Sequence, residues 1–103
     1  MNYRNRNVLD EARHHPCQLC SNDDGTVVAA HSNQGRHGKG MSIKANDVFV
    51  AYLCARCHMI IDQGSEAKSV REHMWNVAHQ RSIPLFAHLL NAEGQQLLED
   101  DRV

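Results

Sequence analysis

The sequence has little net charge, few aromatic residues and no long apolar run, and each shortage excludes a class of protein. The formal net charge is -1 and the pI about 6.7, which excludes a uniformly basic chain that coats nucleic acid. Aromatic residues make up only 5% of the 103 residues, so we expect a small core with few rings. No segment reaches the about 20 apolar residues of a membrane span, and residues 1–15 lack the apolar stretch of a signal peptide. We therefore expect a single soluble, cytoplasmic domain with no membrane partner.

Four cysteines are present, and they fall into two C-x2-C pairs. The first pair is Cys17 and Cys20, and the second is Cys54 and Cys57. Disulfides are disfavoured in a reducing compartment, where paired C-x2-C turns are typical of metal ligands. Four thiolates complete a tetrahedral zinc site and leave no position for water. The spacing predicts a structural Zn²⁺ site, and its doubling disfavours the alternative of four unrelated buried cysteines.

The apolar pattern predicts a small α+β domain around these cysteines. Residues 26–30 and 48–53 favour β-strand, and they flank a loop at residues 32–46 that is rich in glycine and basic residues. A short helix is expected over residues 58–63, ending at Gly64. Because the two strands lie between the cysteine pairs, their pairing would bring the four thiols together.

The C-terminal part changes to a helical pattern. Ser65 is a candidate N-cap for a helix over residues 65–81, with Ala67, Val70, Met74, Val77 and Ala78 on its apolar face. Pro84 suits the first turn of a second helix, which is expected to continue past Gly94, and residues 99–103 are expected to fray. His73 and His88 lie near the core faces of these helices, where core or surface roles are favoured over metal ligation. The chain is thus divided into a polar segment (residues 1–16), a zinc core (residues 17–64) and C-terminal helices packed on it (residues 65–103).

Two histidines and a carboxylate occupy positions suited to hydrolytic chemistry. His31 ends the first predicted strand, and an imidazole has the basicity to take a proton from water near neutral pH. His58 and Asp62 are four residues apart, so on a helix they project from one face and can hold a divalent metal. The alternatives are that His31 is a core histidine bonded to a carbonyl, that His58 lies beside the zinc without its own metal, and that Asp62 pairs with a surface base.

The order of these motifs resembles that of the HNH nucleases, which have the ββα-metal fold, in the subset framed by two C-x2-C knuckles. The matching runs are Cys17-Q-L-Cys20, Val28-A-A-His31 and Leu53-Cys54-A-R-Cys57-His58. More narrowly, residues 29–40 and 44–64 are similar to small prophage-encoded nucleases and to the nuclease part of a phage recombination-enhancing protein. The resemblance covers residues 17–64 and does not reach the two C-terminal helices.

The resemblance implies a divalent-metal-dependent endonuclease that hydrolyses DNA in phage recombination or processing, with a recombinase as a further possible partner. His31 would be the general base. Asp47 would orient it by accepting the Nδ1 proton. His58, with Asp62, would bind Mg²⁺, Mn²⁺ or Ni²⁺ against the scissile phosphate.

The chain departs from the family pattern at two positions. Ala30 stands where many members have an Asp or His that binds metal, so water, substrate or a loop residue would have to complete the site. The middle asparagine is displaced, because Asn46 and Asp47 lie two residues early relative to the second knuckle. These departures favour the alternative function, a non-catalytic zinc-stabilised module that binds DNA or protein.

The basic loop between the strands has two interpretations. Arg36, Lys39 and Lys44 would neutralise phosphates, and Asn33 would contact the nucleic-acid backbone or a base edge. The alternative is a flexible, solvated loop. This is the only internal basic cluster in a nearly neutral chain, which favours the first interpretation.

Overall fold

The computed structural model describes residues 2–102, and within them the chain forms a two-stranded antiparallel sheet with four α-helices around it. The elements are α1 (Arg6–Glu11), β1 (Val28–His31), β2 (Val50–Leu53), α2 (Ala55–Gln63), α3 (Lys68–Phe86) and α4 (Ala92–Asp101). Three short 3-10 turns are at Ala12–His14, Gly35–His37 and Ala87–Leu89. The predicted α+β class and the order strand, loop, strand, helix are confirmed.

The predicted strand pair is present, but β1 begins two residues later than expected. β1 and β2 are antiparallel, with Val28 opposite Leu53 and His31 opposite Val50. Thr26 lies outside the strand because its hydroxyl oxygen accepts a hydrogen bond from the Ala55 N–H at 2.9 Å. The side chain therefore holds the start of α2 rather than extending the sheet.

The core lies around β2, which is buried along its whole length. Tyr52 is fully buried, and its hydroxyl donates to the Val8 carbonyl at 2.5 Å. Its backbone N–H donates to the Ser82 hydroxyl oxygen at 2.9 Å, which joins β2 to α3. A buried polar group without a partner is costly, so these bonds permit a tyrosine and a strand N–H inside the core.

The N-terminal segment takes part in this core. Asn5 caps α1 by accepting from the Val8 N–H at 3.3 Å. Tyr3, Val8 and Ala12 are buried. α1 and the 3-10 turn after it bring Val8, Leu9 and Ala12 against the core.

The predicted ends of the third helix are wrong. α3 begins at Lys68 after Ala67, not at Ser65, and it continues through Pro84 to Phe86. A proline inside a helix leaves the carbonyl four residues earlier without a partner. That residue is Gln80, and both it and Pro84 are exposed, so water can reach the free carbonyl.

The predicted apolar face of α3 is rotated from the observed one. Val70 is 42% exposed, whereas Trp75 and Phe86 are buried. His73 and His88, for which core or surface roles were expected, are exposed. The buried histidine of this helix is His79, which packs against β2 and donates from Nδ1 to the Val50 carbonyl at 2.8 Å.

A separate helix closes the chain. Asn91 caps α4 by accepting from the Gly94 N–H at 3.0 Å. The helix that contains Pro84 therefore does not continue past Gly94, and α4 is a new helix. The fraying expected from Glu99 is contradicted as far as Asp101, where α4 ends, and Val103 lies outside the described residues. The helix is held there by Asp101, whose carboxylate accepts from the buried ring of His37 at 3.1 Å.

Within residues 2–102, none of the helices has the length and apolar character needed to cross a bilayer.

Candidate functional site

The four cysteines form one compact cluster at an end of the sheet. Their Sγ atoms all lie within 4.8 Å of one another, and the Cys20 and Cys54 sulfurs are 3.7 Å apart. Thiolates about 2.3 Å from a tetrahedral metal are about 3.8 Å apart, so this spacing suits a bound ion and is too long for a disulfide. Cys17, Cys54 and Cys57 are buried, and Cys20 is exposed. The cluster could hold a metal ion such as zinc.

Two local structures place these thiols. Cys17 begins a turn in which the Ser21 N–H donates to its carbonyl at 2.9 Å, and Ser21 has a left-handed φ of 68°. The Gln18 N–H donates to the Tyr52 carbonyl at 2.8 Å, which ties this turn to β2. Cys54 is the N-cap residue of α2, and Cys57 lies in the first turn of the helix. The strand pairing that was expected to unite the knuckles therefore does so.

The protonation of the thiols reflects these surroundings. Burial acts to raise the pKa of Cys17, but N–H donors from Cys20, Cys54 and Leu19 outweigh it and lower the pKa to about 7. Burial raises the pKa of both Cys54 and Cys57. A cation among the four sulfurs would reverse that effect, since a coordinating thiol is deprotonated.

His31 and Asp47 form a hydrogen-bonded pair next to the N-terminal segment. The Nε2 atom of His31 is 2.7 Å from Oδ1 of Asp47. Asp47 is buried and also accepts from the Arg4 guanidinium at 3.1 Å and from the Asn5 N–H at 2.7 Å. The structure thus brings together the two residues predicted as base and orienting group. The ring nitrogen of His31 in this bond is Nε2, whereas the prediction was Nδ1.

This bond determines the tautomer of the neutral His31 ring. An ionised carboxylate can only accept, so Nε2 must carry the proton and Nδ1 must carry the lone pair. Within residues 2–102, Nδ1 of His31 makes no side-chain hydrogen bond. The side chain is 17% exposed, so the ring is held on one side and open on the other. The arrangement leaves Nδ1 as the atom able to take a proton.

His58, Asp62 and Asn33 form a second hydrogen-bonded group on the outer face of α2. The His58 Nε2 and Asp62 Oδ2 atoms are 3.1 Å apart, and each side chain is over a third exposed. The other carboxylate oxygen of Asp62 accepts from the Asn33 side-chain amide at 2.9 Å. The helical spacing that predicted a shared face is therefore realised.

Two modes of metal binding are open to this face. His58 Nε2 and Asp62 could ligate one ion together, in place of their mutual hydrogen bond. Alternatively, Nδ1 could ligate while the carboxylate fixes the ring from behind, as carboxylates commonly do for ligating histidines. Among the described residues, the four cysteines are the only cluster of three or more possible ligands. An ion at His58 would therefore retain water or substrate oxygens.

Ala30 adds no ligand and is closed off by α3. It is buried, and its carbonyl accepts from the indole N–H of Trp75 at 3.0 Å. The strand position before His31 is therefore used for packing.

The basic residues predicted to contact phosphates have different environments. Arg36 pairs with Asp101, and its Nε donates to the Gln34 side chain at 3.0 Å. Lys39 and Lys44 are exposed, and neither forms a salt bridge within residues 2–102. The loop contains the 3-10 turn at Gly35–His37 and a bridge between Gly40 and Ile43.

The sequence interpretation missed a buried polar chain formed by Ser32, His37 and Asp101. The Ser32 hydroxyl is 2.6 Å from His37 Nδ1, and Nε2 of the same ring is 3.1 Å from the Asp101 carboxylate. Burial, followed by the Arg36 charge, lowers the pKa of His37. Serine hydrolases use this order of groups, but Ser32 is 1% exposed and its oxygen accepts from the Gln34 N–H. This hydrogen-bonded series of side chains is therefore a structural link from the end of β1 to α4.

Two clefts adjoin the His58–Asp62 face. One, of about 370 Å³, lies over His58, Asp62 and the exposed apolar side chains of Val28 and Met59. The other, of about 410 Å³, lies between Asn33, Asp62 and α3. Asp62 and Gln63 line both clefts.

Comparisons of the chain with protein-family models, with curated proteins and with solved structures found no match.

Proposed function

We propose that this protein is a divalent-metal-dependent endonuclease that hydrolyses DNA phosphodiester bonds. One observation carries the proposal: the Asn33 amide donates to Asp62 at 2.9 Å. Asn33 follows His31 by two residues, so their Cα atoms are at most about 7 Å apart. The segment that carries the prospective base is therefore in direct contact with a prospective metal ligand, which supports their action at one site.

In the proposed reaction His31 Nδ1 takes a proton from a water molecule as its oxygen attacks phosphorus. The bond from phosphorus to one ester oxygen breaks, and that oxygen leaves with the electron pair and is protonated by solvent. His31 carries the positive charge that develops on the ring, and Asp47 stabilises it through Nε2. A divalent ion bound at His58 and Asp62 would supply Lewis-acid stabilisation of the phosphate oxygens. A role in phage recombination, with a recombinase partner, rests on the resemblance alone.

A zinc-stabilised module that binds DNA or protein without cleaving it is the second candidate. The observation that favours it is the buried Ala30, which leaves the His58 face with few protein ligands. Such a module would still bind through Lys39 and Lys44 but would hold only the zinc.

The decisive experiment is nicking of supercoiled plasmid by zinc-loaded protein with Mg²⁺, Mn²⁺ and Ni²⁺ in turn. His31→Ala should abolish nicking while it retains zinc and the circular dichroism spectrum of the wild type. His88→Ala is the matched control, since His88 is an exposed histidine outside both pairs. Nicking that survives in His31→Ala would refute the assigned base.

A metal titration separates the two candidates. The nuclease should bind a second divalent ion besides zinc, measured by calorimetry, and His58→Ala should lose it. A wild-type protein that holds zinc, binds DNA and takes up no second ion would support the binding module.

A further inference from the structure

The loop between the strands ends in a small, braced tip, defined here as residues 39–44, that carries apolar side chains outward. Met41 is 95% exposed and Ile43 is 52% exposed. Single exposed apolar residues are common and need no explanation. Two exposed apolar residues at one tip, between Lys39 and Lys44, do need an explanation, because they combine apolar and basic groups.

The tip is held in shape rather than left free. Gly40 and Ile43 exchange two backbone hydrogen bonds of 3.1 Å each, and they enclose a two-residue turn in which Ser42 has a left-handed φ of 60°. A non-glycine residue adopts that conformation at some cost, so the surrounding bonds must maintain it. The side chain of Met41 is therefore presented by a defined turn.

The N-terminal segment braces the base of the tip. Asn2 donates to the Gly38 and Lys44 carbonyls at 2.7 and 2.9 Å. Arg4 donates to the Lys44 and Ala45 carbonyls at 3.0 and 2.6 Å, and the same guanidinium contacts Asp47. The tip is therefore tied to the carboxylate that holds His31.

The charge of the tip and of the loop around it indicates what kind of partner the tip binds. Residues 32–46 contain three Lys or Arg residues and no Asp or Glu. Arg36 is paired with Asp101, but Lys39 and Lys44 have no salt-bridge partner within residues 2–102. An apolar side chain between two free ammonium groups matches a nucleic-acid duplex, where phosphates flank stacked bases. A protein partner with an apolar pocket would not require the two lysines.

We infer that Met41 is an apolar wedge that inserts between base pairs of duplex DNA, while Lys39 and Lys44 contact the flanking phosphates. This inference rests on DNA being the substrate of the proposed function. Met41 is six residues from Asp47, so their Cα atoms are at most about 21 Å apart. Side chains add to this distance at both ends, so the unstacked step should lie within about one turn of the duplex, about 34 Å, of the cleaved phosphate.

The test uses the whole 103-residue chain, loaded with zinc and without added divalent metal, so that binding is measured apart from cleavage. Duplexes carry 2-aminopurine at successive positions, and its fluorescence rises where a base is unstacked. The variants are Met41→Gln, which keeps the length of the side chain and removes its apolar character, and Met41→Leu, which keeps apolar volume. Met41→Gln should bind about tenfold more weakly and lose the fluorescence rise, whereas Met41→Leu should keep both.

The lysines have a separate readout. Lys39→Ala and Lys44→Ala should each reduce the slope of log affinity against log salt by about one and leave the position of the fluorescence rise unchanged. Unchanged slopes in both variants would overturn their role as phosphate contacts.

The outcomes distinguish the wedge from the nuclease. Binding and nicking by the wild type, with equal affinity and fluorescence in Met41→Gln, would overturn the wedge and leave the nuclease standing. Unstacking that depends on Met41 in a protein that never nicks would support the wedge and refute the nuclease. Absence of duplex binding by the wild type would refute both.

Discussion

Nε2 of His31 lies 2.7 Å from Oδ1 of Asp47, and this bond leaves Nδ1 as the unprotonated nitrogen of the neutral ring. Asp47 is almost fully buried and receives two further donors, from Arg4 and the Asn5 N–H. A carboxylate that accepts a hydrogen bond from Nε2 holds the imidazole in one tautomer. The same residue fastens the N-terminal segment, because the Asp47 N–H donates to the Tyr3 carbonyl at 2.9 Å.

The first prediction tests this relationship with Asp47→Asn. An amide has one acceptor oxygen, so it cannot satisfy all three donors and can present an N–H to the ring. Plasmid nicking should fall about a hundredfold or more, because the base would lose its tautomer. The free energy of unfolding should fall by about 1–3 kcal/mol in urea titration. Asp23→Asn, at an exposed aspartate, is the control. Full nicking activity in Asp47→Asn would show that the carboxylate does not orient the base.

The second prediction concerns the cluster of four cysteines. Purified protein should contain one zinc per chain by elemental analysis, and Cys54→Ser should contain none. Structural zinc is worth about 10–16 kcal/mol in zinc-finger peptides, which exceeds the stability of most small domains. The serine variant should therefore be unfolded by circular dichroism, as should the wild type after chelation. A wild type whose melting temperature does not change when zinc is removed would contradict a structural role for the metal.

The third prediction is that acid destabilises the fold through His79. Burial lowers the pKa of this histidine to about 4, from 6.5, although the Val50 carbonyl and the Asp101 charge act to raise it and His37 and Arg36 act with burial. Since the unfolded chain binds the proton more readily, stability is complete above about pH 6.5 and falls as the pH drops towards 4. The expected loss between about pH 7 and pH 5 is about 2 kcal/mol.

The variant His79→Asn isolates this effect. Its amide can donate to the Val50 carbonyl as Nδ1 does, but it does not titrate. Urea unfolding should show a smaller loss of stability on acidification than in the wild type, and zinc content is followed in parallel because thiolate protonation releases metal. Equal losses in both proteins would assign the acid sensitivity to the cysteines or to His37.

Local patterns in the sequence were sufficient for the cysteine cluster and for the order of the sheet and α2. A C-x2-C turn places both thiols by its own geometry, and an i, i+4 pair such as His58 and Asp62 shares a helix face by period alone. The bond between His31 and Asp47 was predicted, but its nitrogen depends on how the ring enters the carboxylate site and cannot be found from spacing.

Tertiary context decided the remaining features. Whether a proline ends a helix depends on whether the carbonyl before it can reach water, and at Gln80 it can. Which side of α3 faces inward depends on the position of β2, so Val70 was placed wrongly and His79 was missed. The contact from His37 to Asp101 joins residues 64 positions apart, and neither neighbourhood indicates it.

The last prediction compares two glycines with opposite surroundings. Gly64 ends α2 with an ordinary φ of -71°, so conformational freedom is not the reason for glycine there. A Cβ added at Gly64 would lie 2.2 Å from the Ile60 carbonyl oxygen. The turn has little room to move, because Arg71 donates to the Ile61 carbonyl at 2.9 Å and so clamps α2 to α3. Gly35 has no atom within 4 Å of such a Cβ.

Gly64→Ala should therefore lower the free energy of unfolding by more than about 2 kcal/mol, while Gly35→Ala should change it by less than about 0.5 kcal/mol. In a domain of this size the first change corresponds to a fall in melting temperature of about 8 °C or more. Thermal denaturation followed by circular dichroism measures both. Because Asp62 lies two residues before Gly64, the strained variant should also lose affinity for a divalent ion at the His58 face. Equal melting temperatures for the two variants would show that the turn after α2 yields, and that the His58 face does not depend on its shape.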